Sequence, residues 1–579
     1  MSTAETAGLA KTGVKTDRRV IWVMTALGFA SGLPFSLLVG SLGAWLSNAG
    51  LSFGAIGALS WIALFYAFKF LWAPAFDWLV PPFANTVGRR RAWMALCQAV
   101  IIACLFGITA TDPRENIALF AGLAALAAFA SASQDIVIDA WRIETASDRA
   151  PLDVLSTRYQ LGYRLAAIMG GAVALLLADL WKTAGDPAAG WHGVFLVMST
   201  AMALSFLATL AAPEPALRPR ETSKTVDDPA ASRLRAIAVI PVSIGWAASG
   251  LAIVGFMFYS LTATEAVSAA AFRDAATPWI LLVTVGAPLA MSFWLARQPG
   301  ALDAPGGGSK RFTDVLFERV LAPLADIVRR YWVWALPVLL LAMTYRIADS
   351  IWGSFANPFY LSILQHSNSD VAVASKMVGV VATLLGIAAG GAALALIGRM
   401  PALIVGGVLA ALTNLLYADL ARGGGGADAF LAATGLGAVF STALTAFVGS
   451  VQASGAAIFD GVTLGPALTR LTAVIAAENV AGGFASAVHI AWLSSIVNRQ
   501  YAAVQYALLS SLAMLVGVIF RPRIGAFVDE AKDAGLVAQA DRFHDVFVFA
   551  MWIGLAAVAL CFVEWWRQNR EKLRAKTAS

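Results

Sequence analysis

A chain of 579 residues that is 59% hydrophobic and only 13% charged, with a mean hydropathy of +0.73, is too apolar for a soluble protein, which carries roughly a quarter charged residues. Its net charge of +6 is no nucleic-acid signature, because the basic residues sit in short loops between apolar blocks, where they report membrane topology. Cys97, Cys104 and Cys561 have no paired spacing and the four histidines are scattered, so neither a disulfide framework nor a metal site is indicated, and no cofactor is expected.

The apolar blocks are about twenty residues long, enough to cross a bilayer as helix, and lipid offers the backbone no other partners. The expected fold is all-α and polytopic. A polar, basic tail over 1–19 precedes spans near 20–47, 53–80, 92–111, 116–141, 157–181 and 191–212. The first apolar run is too long for a signal-peptide core and is read as a retained span. The polar linker 213–235 leads to two more spans near 236–262 and 276–296, within 236–297. The linker 298–332 contains "APGGGSK" and then a segment with Phe312, Leu316, Val320, Leu324, Ile327 and Tyr331 at helical spacing, read as an amphipathic surface helix. Six further spans follow near 333–363, 371–397, 401–419, 470–497, 500–528 and 543–566, then a tail over 567–579. That layout has fourteen spans. It places 28 of the 41 Lys and Arg on the side shared by both termini, which the positive-inside rule makes cytoplasmic. The segment 421–469 joins two spans on the outer side and holds the apolar run "FLAATGLGAVFSTALTAFVGSV". A single span there would invert everything after it, so it is expected to lie on the surface, dip in and return, or form a hairpin.

Three matches suggest a repeat. "PF" follows small residues at Pro34 and Pro358; "GR" occurs at Gly88 and Gly398; "FASA" occurs at 129–132 and 484–487. The spacing between halves grows by about the length of the 421–469 insertion. Two six-helix halves (20–212 and 333–566) with two extra central spans fit the major facilitator plan.

Charges within spans are costly and face a pathway or a partner. The stretch "SASQDIVIDAW" puts Asp135 and Asp139 one helical turn apart, roughly 28 and 34 Å along span four. Like charges at that spacing repel unless one is protonated or a cation intervenes. Asp135 is therefore read as a proton-coupling group. Asp139 is read first as the ion-pair partner of Arg142, and otherwise as a second transport carboxylate. Arg164 is a candidate substrate contact, but is expected rather to engage Asp135. Asp77 with Arg89, Arg90 and Arg91 reads as a helix-end charge cluster. Lys69, Arg346 and Lys376 either lock helices or meet an anionic substrate. Asp349 and Glu478 are further coupling candidates, lying near Arg346 and at the depth of Lys376 respectively. Ser133, Gln134 and Asn357 are candidate substrate contacts. Gly28, Gly32 and Pro34 interrupt span one, and Asn357 and Pro358 interrupt span nine; either a central binding site or close helix packing accounts for them.

The stretches "GFASGLPFSLL", "FKFLWAPAFD", "GRRRAW", "SASQDIVIDAW", "LGYRLA", "ENVAGG" and "QYALLSSL" resemble, in this order, the AmpG family of muropeptide permeases, part of the major facilitator superfamily. The resemblance is strong over about 20–215 and 470–530 and weaker over 333–400. It implies a monomeric importer of the bacterial inner membrane. Such a protein moves anhydro-muropeptides, GlcNAc–anhydroMurNAc with or without peptide, into the cytoplasm on the proton gradient. That is a step of peptidoglycan recycling, tied in some bacteria to β-lactamase induction and so to antibiotic resistance. The insertion 421–469, the long linkers and the pair Arg521 and Arg523 depart from that pattern. The eukaryotic acetyl-CoA transporter is a distant relative, so a coenzyme A ester is the alternative substrate. A membrane sensor or enzyme is the reading from another class; no nucleophile–base set, phosphate loop or metal motif is seen.

Overall fold

The computed structural model describes residues 17–51, 62–146, 151–183, 185–186, 188–215, 229–262, 269–298, 301, 312–453, 462–531 and 533–577. Among them helices carry almost all the regular structure, and one isolated bridge joins Thr183 and Asp186. Thirteen helical stretches are long and apolar enough to cross a membrane. They group into two compact units, Val14–Leu339 with Leu493–Ser511, and Leu340–Trp492 with Leu512–Ser579.

Span one and span five make the tightest helix pair of the first unit, and glycine is the reason. A Cβ on Gly28 would lie 2.2 Å from the Tyr159 carbonyl oxygen, one on Gly32 2.7 Å from that of Tyr163, and one on Gly162 1.9 Å from that of Thr25. Close backbone approach is how helices associate where lipid supplies no hydrophobic drive. The packing explanation thus accounts for Gly28 and Gly32. In the second unit, Gly386 and Gly483 play the same part between Gly379–Leu396 and Pro466–Ile496, with Cβ positions 2.1 and 2.3 Å from Val480 and Thr383 carbonyl oxygens. Gly162→Ala is expected to lower stability by about 1–3 kcal/mol through overpacking, read as a lower unfolding temperature in detergent. An unchanged midpoint would show that the helices part without cost.

The repeat is visible in local geometry. Pro34 ends its α-helical run and a π-helical turn, Ser36–Ser41, follows at once; Pro358 is followed by the π-helical turn Phe359–Ile363. Proline removes a backbone donor and unsettles the ladder, and π-turns gather at functional sites. Gly88 (φ 94°, ψ 152°) precedes the helix Arg89–Thr109, and Gly398 (φ 81°, ψ 172°) precedes Arg399–Ala421.

Two expected spans differ from the sequence reading. The described part of span two is broken into Ala63–Ala67, a 3₁₀ turn Lys69–Leu71 and Ala73–Trp78; its stretch 52–61 lies outside the described residues. Pro74 cannot extend the preceding helix. Span nine is likewise short pieces, Ala335–Thr344, Ile347–Trp352 and Ala356–Pro358, while the apolar stretch of spanning length is Phe312–Thr344. Inside that stretch, Trp332 has a φ of 47°, which turns the chain between Ala322–Tyr331 and the following 3₁₀ turn. The helix Ala322–Tyr331 buries Leu324, Ile327 and Val328.

The insertion 421–469 is helical in its described part. Gly425–Thr434 and Leu436–Ala453 are joined at Gly435 (φ 70°), and residues 454–461 lie outside the described residues. Leu444 and Val448 alone bury fully from the second helix, into a core built on Trp352, Phe359, Tyr417 and Phe547. The described part of the insertion is thus a pair of helices.

Candidate functional site

Span four, Ile117–Thr145, carries the site because its second half is almost wholly buried, from Ala130 to Ile143. Buried charge requires partners, and they come from span four itself and from five other elements. Lys69, in the 3₁₀ break of span two, places Nζ 3.7 Å from Asp135 Oδ2 and 3.8 Å from Asp139 Oδ2. The lysine is thus the cation between the two carboxylates. It takes the place that the sequence reading gave to Arg164, which lies half-buried on Leu152–Ile168. Ser31 of span one donates its hydroxyl to Asp135 Oδ1 at 2.5 Å and lies 2.9 Å from the Tyr159 hydroxyl.

Asp139 has a second cation. Arg142 Nη2 is 3.1 Å from its Oδ1, off the hydrogen-bonding direction. The Arg142 guanidinium is fully buried, with Tyr159 4.7 Å on one side and Tyr506 4.8 Å on another. Such cation–π contacts strengthen when desolvated. Its Nη2 also donates to Ser494 Oγ at 3.2 Å. The four central charges are therefore two carboxylates and two cations, shared unequally: Asp139 faces both cations, Asp135 only Lys69.

Ser133 accepts from the Trp72 indole at 3.2 Å. Gln134 is fully buried, and neither end of its amide has a hydrogen-bond partner among the described residues. Leaving a buried amide unpaired costs about 1–3 kcal/mol, which is the mark of a group held for something other than packing.

The expected charge cluster at the helix end is present. Arg90 is 2% exposed and pairs with Asp77 Oδ1 at 2.7 Å and with Glu144; Arg89 donates to the Asp77 carbonyl at 3.2 Å. Glu214 accepts from the backbone N–H groups of Arg90 and Arg91 at 2.8 and 3.1 Å. That capping satisfies free donors at a positive helix end.

A separate polar group lies in the second unit. Arg346 pairs with Asp349 at 2.8 Å and donates to the Gly482 carbonyl at 2.7 Å and to Ser486 Oγ. Glu478 accepts from Asn479 at 2.9 Å, and a Cβ on Gly482 would stand 3.7 Å from Glu478 Oε1 and 3.9 Å from Arg346 Nη2. The side chains of Asn357 and Lys376 lie outside the described residues. Their backbones fall in Ala356–Pro358 and the π-helical turn Ala372–Val378.

Another polar set joins the helix Ala322–Tyr331 to the turn after span twelve, within the first unit. Asp326 accepts from Asn498 Nδ2 at 3.0 Å, from Gln505 Nε2 at 2.8 Å and from Arg330 Nε at 2.9 Å. Gln505 also donates to the Pro323 carbonyl at 2.7 Å. Ser31, Tyr159, Ser494, Tyr506 and this Asp326 set were not singled out from sequence. Ser31 had a signal there as part of "GFASGLPF", and Gln505 and Tyr506 as part of "QYALLSSL".

Buried, mutually paired charges lie on interrupted helices, and the fold is that of the major facilitators. The chain superposes on the proton:xylose symporter XylE bound to 6-bromo-6-deoxy-D-glucose with a TM-score of 0.50, 12% identity and 94% of each chain covered. It superposes on an auto-inhibited POT family peptide transporter with a TM-score of 0.51 at 13% identity, over 94% of this chain and 96% of that one.

In sequence, the chain is a homologue of proteins named anhydromuropeptide permease and AmpG transporter. It is 26% identical to the anhydromuropeptide permease of Escherichia coli (strain K12) over 88% of this chain and 74% of that protein. It is 21% identical to the putative transporter AmpG 4 of Rickettsia conorii over 84% of this chain and 85% of that protein. Residues 20–117 match the family described as Acetyl-coenzyme A transporter 1.

Proposed function

We propose that the chain imports anhydro-muropeptides from periplasm to cytoplasm on the proton-motive force, as a monomer in the bacterial inner membrane with both termini cytoplasmic. The observation that carries this is the likeness to the Escherichia coli permease over 88% of this chain and 74% of that protein. A link to β-lactamase induction is part of the same proposal.

In this reading Asp135 is the proton carrier. With Asp135 charged, Lys69 is shared between the two carboxylates. With Asp135 protonated, Lys69 is free to move to Asp139, and Ser31 is released to reorient toward Tyr159. Asp139 remains charged because Arg142 stays beside it. Gln134 and Ser133, on the same turns, meet polar groups of the sugar. Arg142 and Asp326 hold the 493–511 segment closed on the first unit, and release of that segment opens the path to the other side. Arg346, with Asp349 and Glu478, meets the charged groups of a peptide stem, since an apolar cavity cannot hold a carboxylate unpaired. Asp77, Arg89 and Arg90 are structural in this scheme.

Uptake of labelled GlcNAc–anhydroMurNAc peptide by cells lacking their own permease tests the function. Uptake restored by this chain supports it. No uptake, with labelled coenzyme A ester taken up instead, favours the alternative. Arg346→Gln is expected to weaken binding of a stem-bearing substrate by on the order of 2–5 kcal/mol and of the peptide-free disaccharide far less. Equal losses for both ligands in a binding titration would make Arg346 a structural residue.

A further inference from the structure

One cavity lies in the first unit, away from the charged site. Its volume is about 450 Å³, and it is lined by the broken span two, by Phe129 of span four, by the extra helix Pro229–Thr262 and by Leu316 and Val320. The walls present carbon. Trp72 turns its indole N–H away to Ser133 Oγ, and Trp246 turns its own to the Thr284 carbonyl at 3.0 Å. Phe65, Trp72 and Phe129 stand against one another with ring centroids 5.3 to 6.1 Å apart, and so form a back wall. Both indole donors are satisfied elsewhere, so the rings are fixed with their faces and edges to the groove. A polar sugar would lose its hydration here and find almost no partner.

The rim shows where the groove opens. Val254, which lines it, is 61% exposed, and its helix neighbours Leu251 and Ile244 are 72% and 63% exposed. These are large apolar side chains on a helix of membrane-spanning length. Their surroundings are hydrocarbon, and the groove continues that lipid-facing surface inward. A space of this size cannot stand empty in a close-packed structure without loss of contact energy, and an apolar one does not hold water.

We propose that this groove is a binding site for one acyl chain of a membrane lipid. The chain enters from the lipid-facing side between span two and the extra helix, and lies against Trp72 and Trp246. The two additional spans thereby have a purpose that a six-plus-six bundle lacks, because Trp246 and Gly250 belong to the first of them. The bound chain holds Trp72, and through its indole Ser133, in place beside Gln134 and Asp135.

The test uses the full-length protein in liposomes of a phospholipid with a photoreactive diazirine near the end of one acyl chain. Adducts are expected on 65–74 and 243–254 at several times the level on the lipid-facing helix Gly190–Ala211. An added Cβ at Gly250 meets nothing within 4 Å, so Gly250→Trp is expected to fit and fill the groove. It should cut groove labelling several-fold and leave Gly190–Ala211 unchanged. Val254→Trp at the rim gives a second variant should the first fail to fold. Labelling spread evenly over all exposed helices would overturn the proposal. So would groove adducts displaced by a glycopeptide.

Discussion

Asp135→Asn is expected to abolish concentrative uptake, a loss of at least about tenfold in accumulation ratio, with the protein still inserted and folded. The amide is the same size and can still accept from Ser31, so the helix contacts of span four survive. What disappears is the titratable group and the negative charge that shares Lys69. The variant then leaves one carboxylate, Asp139, between two cations. Downhill exchange is expected to persist, since the permanently neutral side chain imitates the protonated state. A purely structural ion pair predicts a different result: removing both partners, as in Asp135→Asn with Lys69→Met, would restore accumulation. Breaking a buried pair by removing one partner is costly, whereas removing both is often tolerated. Accumulation at the wild-type ratio in the single variant, or its recovery in the double, would refute the coupling role.

The second large effect concerns the 493–511 segment. A short cross-link between cysteines placed at Asp326 and Asn498, whose side chains are 3.0 Å apart, is expected to stop transport completely, and reductive cleavage of the linker to restore it. The segment is the end of one helix, a 3₁₀ turn and the start of the next helix, and two independent contacts hold it. One is the fully buried Arg142 between Tyr159 and Tyr506; the other is Asp326, which accepts from Asn498 and Gln505 of the segment. Alternating access requires such contacts to part once per cycle. A cross-linked protein that transports at the unmodified rate would show that the segment belongs permanently to the first unit.

The sequence made the carboxylates easy to find and their partners hard. Two aspartates one turn apart in an apolar helix are conspicuous in themselves. Lys69 is 66 positions from Asp135, and its reach depends on a 3₁₀ break that helical periodicity hides. Arg164 looked the better partner because depth along an ideal helix was the only available measure. Arg90 was legible as one of a basic run, but its buried contact to Glu144 was not, since Glu144 reads as an ordinary helix-end charge. The glycines of span one showed themselves as interruptions, and only the facing carbonyls of Tyr159 and Tyr163 identify them as packing sites. The insertion left three arrangements open in the sequence, because nothing in its apolar block says that two helices divide at Gly435. Least legible was the membership of 493–511. By chain order it lies in the second six-helix half, but its contacts place it with the first unit. No local pattern encodes that, because it rests on side chains such as Gln505 and Asp326 that meet only after folding.

The most direct measurement is uptake by purified protein in proteoliposomes under an imposed pH gradient, with labelled GlcNAc–anhydroMurNAc peptide inside or outside. The account predicts accumulation above equilibrium when the outside is acid, collapse of that accumulation by a protonophore, and mere equilibration with Asp135→Asn. Accumulation that ignores the gradient, or no movement of the muropeptide at all by folded wild-type protein, would contradict it.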